Sequence, residues 1–385
     1  MLEPVAVSLL SRRKLLMNSA FLLAGGLSAT SCGPAPALGE TAASGTIVWR
    51  YGLENEQLRA LRYSKGVVLA DTGTGITGID AKTGKKLWQA TIAGPGIDRH
   101  AFIAEGTLYL CGAEPDGERA IALDAVSGQR KWTFDAPADT ALIGIHGVRD
   151  GIAHLFTLNR ATAHHEILAV DTTTRAIRWT APCPTDNTAL HIPATGALIY
   201  SSRENGGDLI AFDTENNGAT VWSKQDDPTA AATTIATGLV AGAILATDGS
   251  RIVSALDPKT GAPLWKTHEL ATPADTLFAD ADAYYRCDGT KLQALRPGPE
   301  AAVLWTLTVS DRAEARNATA YLTSGTCYFL AANTLRAIDA RTGNPRWSRT
   351  IDTPAPATPF TVGETHCYLG SSSDPATSGL IAIAR

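Results

Sequence analysis

Four histidines, His146, His154, His164 and His165, lie in one short stretch of the chain, and neutral imidazole is the commonest protein metal ligand. In any strand holding both, alternation sends His164 and His165 to opposite faces, so the four read as scattered histidines rather than a ligand set. Asp280-Ala281-Asp282 offers two carboxylates but is too short for a calcium loop, which needs about six to eight oxygen ligands. Gly73-Thr74-Gly75 has the look of a hairpin turn, with no phosphate-binding helix after it. Asn317-Ala318-Thr319 matches a glycosylation sequon, a pattern short enough to recur by chance. The six cysteines include no CxxC pair and no Cys/His spacing suited to zinc. After Cys32, five remain: Cys111, Cys183, Cys287, Cys327 and Cys367. An odd number leaves at least one unpaired within the molecule. Cys327 and Cys367 occupy equivalent strands of neighbouring repeats, yet all five read best as small buried hydrophobes. No catalytic residue and no metal ligand is assigned.

Most of the remaining acidic chemistry falls in one recurrent place. Asp80, Asp124, Asp171, Asp213, Asp257 and Asp339 each stand at the start of a turn, where the side chain can bond its own backbone two residues on. Gly84, Gly128, Gly218, Gly261 and Gly343 follow, supplying the positive φ of a tight hairpin. A tryptophan closes each block, and an alanine precedes each Asp, as in Ala122-x-Asp124-x-x-x-Gly128-x-x-x-Trp132. The first block has Gly78 in place of Ala, the third has Arg175 in place of Gly, and the fourth is one residue longer. The sixth is the most altered, with Arg296 for Asp and Pro297-Gly298-Pro299 before its Trp.

These positions need a repeating scaffold. All eight tryptophans belong to one series: Trp49, Trp88, Trp132, Trp179, Trp222, Trp265, Trp305 and Trp347. Their mean separation of about 43 residues is that of one four-stranded propeller blade. Repeat two shows short β-rich runs at 101–104, 107–112, 120–124 and 130–134, a four-stranded antiparallel meander. A meander has two apolar faces and must stack on copies of itself. The 385 residues, 44% hydrophobic and 18% charged, suit such a core. After Trp347 only three strand-like runs remain, 357–362, 366–371 and 380–385. The run 46–49, with its orphan Trp49, is expected to supply the fourth. The sequence thus predicts an all-β, eight-bladed propeller over 45–385, closed by an N-terminal strand that completes the C-terminal blade.

The beginning of the chain reads differently. Residues 1–32 have the order of an export signal, and Arg12-Arg13 before Lys14-Leu15-Leu16 resembles a twin-arginine motif. Ala29-Thr30-Ser31-Cys32 resembles a lipobox, in which Cys32 would be lipidated; Ala29 stands where Leu is usual. Cleavage after Ala35-Pro36-Ala37, releasing a soluble protein, is the alternative. Residues 33–44 read as a flexible tether. With 33 basic against 38 acidic residues, the net charge is −5, which lacks the basic footprint of a nucleic-acid binder.

The repeated Ala-x-Asp-x-x-x-Gly-x-x-x-Trp block resembles the tryptophan-docking motif of the pyrroloquinoline quinone (PQQ) repeat family. The likeness runs from Trp49 to Trp347. It implies one of two branches. Quinoprotein dehydrogenases hold PQQ and calcium at the propeller centre, but they carry large inter-blade insertions, and many have a vicinal disulfide. Here the widest Trp-to-Trp gap is 47 residues and no two cysteines are adjacent. The PQQ-like lipoproteins of the BamB type are scaffolds of similar size. The expectation is therefore an exported, membrane-anchored binding scaffold, monomeric, with an envelope protein or small ligand as partner and no assigned cofactor. A PQQ-dependent dehydrogenase or an extracytoplasmic sensor is the alternative. The polar loops 113–119, 159–165 and 371–378 are the candidate partner contacts, with Glu114, Asp116, Arg119, Asn159 and Arg160 singled out.

Overall fold

The computed structural model describes residues 43–53, 56–72, 74–92, 102–114, 117–183, 187–191, 198–203, 209–224, 234–235, 243–247, 252–267, 276–280, 282–287, 291–308, 319–331, 333–351, 359–370 and 379–385. These residues form an all-β propeller whose strands make eight four-stranded antiparallel sheets. Seven sheets, numbered here in chain order, each use four consecutive strands. They occupy 60–91, 102–135, 140–183, 187–224, 234–266, 276–308 and 319–350. The remaining sheet is composite: Phe360–Val362, His366–Gly370 and Gly379–Ala384 pair in order, and Ile47–Gly52 adds as the fourth strand. Its register sets Trp49 against Ala382 and Tyr51 against Leu380.

The first strands of neighbouring sheets touch. Ala60–Ser64 meets Phe360–Val362, and Phe360–Val362 meets Thr319–Thr323. First strands are therefore innermost, and every tryptophan of the series lies on an outermost strand. The sequence explains the layering. Third strands such as Leu209–Asp213 and Gly379–Ala384 are buried on both faces, so they are nearly continuous apolar runs. Outer strands such as Arg130–Asp135 alternate, because one face meets water.

Apolar layers between neighbouring sheets make up the core. Leu69, Leu108, Leu110 and Ile121 join sheets 1 and 2. Leu61, Val68, Tyr368 and Leu380 join the composite sheet to sheet 1, and Tyr321, Leu335, Phe360 and Ile381 join it to sheet 7. One expected boundary moves. Residues 113–119 were expected to form a loop, but strands Thr107–Glu114 and Gly117–Asp124 run through it to a tight hairpin. Glu118 and Arg119 are therefore strand residues.

Candidate functional site

The recurrent residues meet at the junctions between sheets. In every sheet the Trp lies opposite a small residue of the third strand: Ala122 faces Trp132, Ala294 faces Trp305, and Ala382 faces Trp49. The residue just before each Trp is bulged out of register. The bulge turns the strand so that the indole leans over the next sheet. There, at six of the eight junctions, it covers that sheet's turn glycine. Trp49 lies on Gly84, Trp88 on Gly128, Trp179 on Gly218, Trp222 on Gly261, Trp305 on Gly343 and Trp347 on Gly45. A Cβ on Gly84 would stand 2.7 Å from the Trp49 indole, so this glycine is required by close approach as well as by its φ of +70°. The repeat pattern alone signals only the second requirement.

At three of these junctions the indole N–H bonds the carbonyl one residue past the turn Asp. Trp49 Nε1 donates to Ala81 O (3.0 Å), Trp222 Nε1 to Pro258 O (3.0 Å) and Trp305 Nε1 to Ala340 O (2.8 Å). The six Asp carboxylates fix those turns from inside. Asp124 Oδ1 accepts from the backbone N–H of Val126 (3.0 Å) and Ser127 (2.8 Å), and the other five repeat the arrangement. In sheets 2, 3 and 7 the bulged residue is basic and reaches back to the same Asp: Lys131 to Asp124, Arg178 to Asp171 and Arg346 to Asp339. The Lys131 ammonium and the turn N–H groups hold the Asp124 carboxyl well below the usual carboxylate range. These carboxylates are spent on structure.

A second recurrent position was missed in the sequence. On the second strand, the residue facing the small Ala is aromatic in most sheets: Tyr109, His154, Tyr200, Tyr285, Tyr328 and Tyr368. In sheets 2, 3, 6 and 7 and in the composite sheet the Ala therefore lies between two rings. Tyr285 stands 5.9 Å from Trp305, Tyr368 5.7 Å from Trp49, and His154 5.7 Å from Trp179. Tyr368 and Tyr285 hydroxyls donate to the same Ala81 and Ala340 carbonyls that the tryptophans use. Leu69 and Leu245 break this column, which hid it.

His154 is thus the tyrosine substitute of sheet 3. It is 1% exposed, and neither ring nitrogen makes a well-formed hydrogen bond. Burial pushes it down to about 4, Arg149 adds to the shift, and the nearby Gly147 backbone opposes it. His164 and His165 fall on opposite faces of His164–Asp171, and the His146 side chain lies outside the described residues. Asp280 accepts from the N–H of Asp282 and Ala283 and from the Tyr285 hydroxyl. Thr72 N–H bonds Gly75 O between the paired strands Val67–Asp71 and Gly75–Asp80, and Gly73 lies outside the described residues. Among the described residues no three His, Cys, Asp or Glu side chains group as a metal site. Cys111, Cys183, Cys327 and Cys367 are buried and form no disulfide, and Cys327 and Cys367 sit in different layers. Arg12, Arg13, Cys32, Asp116, Asn317 and loop 371–378 lie outside the described residues, as do the side chains of Glu114 and Cys287.

The expected contact loops are partly committed internally. Arg160 pairs with Glu118 at 2.8 Å, and the other Glu118 oxygen accepts from Leu142 N–H, fastening sheet 2 to sheet 3. Arg119 pairs with Asp135. Asn159 caps its own turn at Ala161 and Thr162. The shallow recess lined by Tyr51, Glu56, Thr77, Lys86 and Gln89 is likewise self-satisfied, Lys86 bonding Gln89 and Glu56 accepting from Thr74.

Among the described residues the buried indole N–H groups of Trp88 and Trp132 find no hydrogen-bond partner, and both sit where the block is altered. Gly78 replaces the Ala opposite Trp88, and the indole leans into the space a Cβ would fill. Arg175 replaces the glycine on which Trp132 would rest, and it holds a φ of +65°. Arg175→Gly is expected to stabilise the fold by about 1–2 kcal/mol by removing that backbone strain. It also opens the Thr172 carbonyl to Trp132. Urea unfolding and exchange of the Trp132 indole proton check both effects; an unchanged midpoint and an exchanging indole would contradict them.

Comparison with known proteins agrees with this geometry. Residues 38–149, 144–281 and 233–365 match the family described as outer membrane protein assembly factor BamB. The outer membrane protein assembly factor BamB of Yersinia pestis is 24% identical over 248 residues, 60% of this chain and 61% of that protein. The chain thus spans about three fifths of that relative's length. The serine/threonine-protein kinase AfsK of Streptomyces griseus is 32% identical over 133 residues, 32% of this chain but 15% of the kinase. The crystal structure of BamB from Moraxella catarrhalis superposes with a TM-score of 0.57 at 16% identity, covering 88% of this chain and 99% of that one.

Proposed function

The chain belongs to the family described as outer membrane protein assembly factor BamB, and from that premise we propose that it is an exported, lipid-anchored, polypeptide-binding scaffold of the cell envelope. The observation that supports this most is how the polar groups are spent. The recurrent Asp, Gly and Trp residues fasten sheet to sheet, and what varies around the ring is the outer strands and turns. A rigid disc with variable margins is a binding platform.

In this reading Arg12 and Arg13 direct export and lipidated Cys32 holds the protein at a membrane. The composite sheet acts as the eighth blade, and Ile47–Gly52 closes the ring. The protein works as a monomer and carries no catalytic group. Cys32→Ser is expected to move the protein from the membrane fraction to the soluble fraction; unchanged membrane retention refutes the anchor. Adding PQQ and calcium to purified protein is expected to give no bound quinone absorbance and no alcohol-dependent dye reduction, whereas turnover would favour the dehydrogenase reading. The likeness to part of a protein kinase favours a second reading, an extracytoplasmic sensor.

A further inference from the structure

Each sheet ends in an outer strand whose far edge pairs with no described strand. Such edges invite pairing with other chains, and native proteins blunt them with charge or proline. Seven of the eight are blunted in this way. Ile47–Gly52 carries Arg50, Lys86–Thr91 carries Lys86, and Arg130–Asp135 carries three charges. Ile177–Cys183 carries Arg178 and Pro182, and Ala219–Lys224 carries Lys224. Pro263–Lys266 and Pro345–Thr350 carry both proline and basic residues. Val303–Thr308, with the sequence VLWTLT, has no charge and no proline.

That strand is also prepared for pairing. Val303 is 53% exposed and Leu304 42%, two adjacent apolar side chains beside the free edge. Trp305 is anchored on Ala340 O and against Tyr285. Thr306 Oγ1 accepts from Gln293 Nε2 at 3.2 Å, and Gln293 in turn accepts from Arg286. The strand cannot retreat from its edge, so an incoming segment meets fixed backbone groups and loses less entropy on binding. The turn before it has lost the Asp of other repeats; exposed Arg296 and Glu300 leave that end without net charge.

We infer that the outer edge of Val303–Thr308 in sheet 6 accepts an extended, uncharged segment of another polypeptide as a fifth strand. Main-chain hydrogen bonds supply affinity, and Val303 and Leu304 select apolar or β-branched side chains. The absence of charge fixes the class of segment: a charged side chain laid on this edge would gain no counter-ion from the strand. The inference rests on the scaffold reading and names where on the scaffold the partner lies.

The test uses the purified chain and the blocked peptide acetyl-Ser-Thr-Val-Thr-Leu-Thr-Ser-amide, followed by amide hydrogen exchange. The expected result is saturable protection confined to Val303–Thr308. In the Leu304→Lys/Thr306→Lys variant the dissociation constant rises by about tenfold or more. Leu264→Lys, on the neighbouring sheet edge, leaves it unchanged. The Lys at 304 is tolerated by the fold, since Lys131 occupies the equivalent bulge. Leu304→Lys alone serves if the double variant unfolds. Absence of saturable protection, protection elsewhere, or full binding by the variant overturns the inference. So does a peptide-independent dimer that the variant abolishes, because the occupant is then a second copy of this chain. If the peptide fails while a partner crosslinks through other positions, the edge is wrong and the scaffold reading stands.

Discussion

Trp49→Ala lowers the unfolding free energy by about 3 kcal/mol, the lower end of what loss of a core tryptophan costs, because Trp49 is half-buried. The effect reaches far along the chain. Trp49 touches Tyr368 at 5.7 Å, covers Gly84 and bonds Ala81, so one side chain joins the start of the chain, its end and sheet 1. Its strand supplies the outer edge of Gly379–Ala384. Removing the indole should therefore speed amide exchange in Gly379–Ala384 and in Lys86–Thr91, the two sheets it bridges, before the opposite side of the ring responds. Arg385→Ala is a smaller lesion at the opposite seam of the composite sheet, towards sheet 7. There the guanidinium bonds Tyr328 Oη and Gly363 O, and these contacts lie on the other flank of the composite sheet. Trp49→Ala with an unchanged urea midpoint would refute closure by the N-terminal strand.

The second large effect is a pH dependence centred on His154. In the unfolded chain its imidazole takes a proton near 6.5; in the folded protein burial holds it neutral down to about 4. The unfolded state therefore binds more protons between those values, and stability falls as pH drops from 6.5 towards 4. The loss is about 3 kcal/mol at most, at about 1.4 kcal/mol per pH unit. It is fully recovered above pH 6.5. The turn carboxylates Asp124, Asp171 and Asp339 are held well below the usual range, so their contribution is lost only at lower pH, as they protonate. The two windows separate. In His154→Phe, which keeps a ring against Trp179, most of the slope between pH 6.5 and 4 should be lost, the half-buried His366, also lowered by burial, keeping a lesser share, while the lower slope remains. Retention of the upper slope would place the titrating group elsewhere.

Much of this fold was legible because tryptophan is scarce and its spacing regular. Eight residues gave the blade length, and the lone Trp49 pointed to a strand pairing across the whole chain. The Asp turns were legible because a carboxylate capping its own backbone is a local event. What failed was non-local. Gly84 is needed by Trp49, which belongs to a different sheet, and no local pattern carries that requirement. The aromatic column was hidden because Leu69 and Leu245 interrupt it and His154 replaces one tyrosine. Glu118 and Arg119 looked like loop residues because charge clusters suggest turns, whereas a tight hairpin let both strands continue. The candidate contact surface was least legible, because exposure at an edge such as Leu304 depends on the bulge that turns it outward.

Site-specific photocrosslinking in living cells tests the scaffold function most directly. A photoreactive phenylalanine is placed in the full chain, one position at a time, at Leu87, Ile177, Leu264 and Leu304, all exposed on outer strands. Binding by the rim predicts a protein adduct of one defined mass, strongest from Leu304 and weak or absent from Leu87. No protein adduct from any position, together with quinone-dependent turnover by the purified protein, would contradict it.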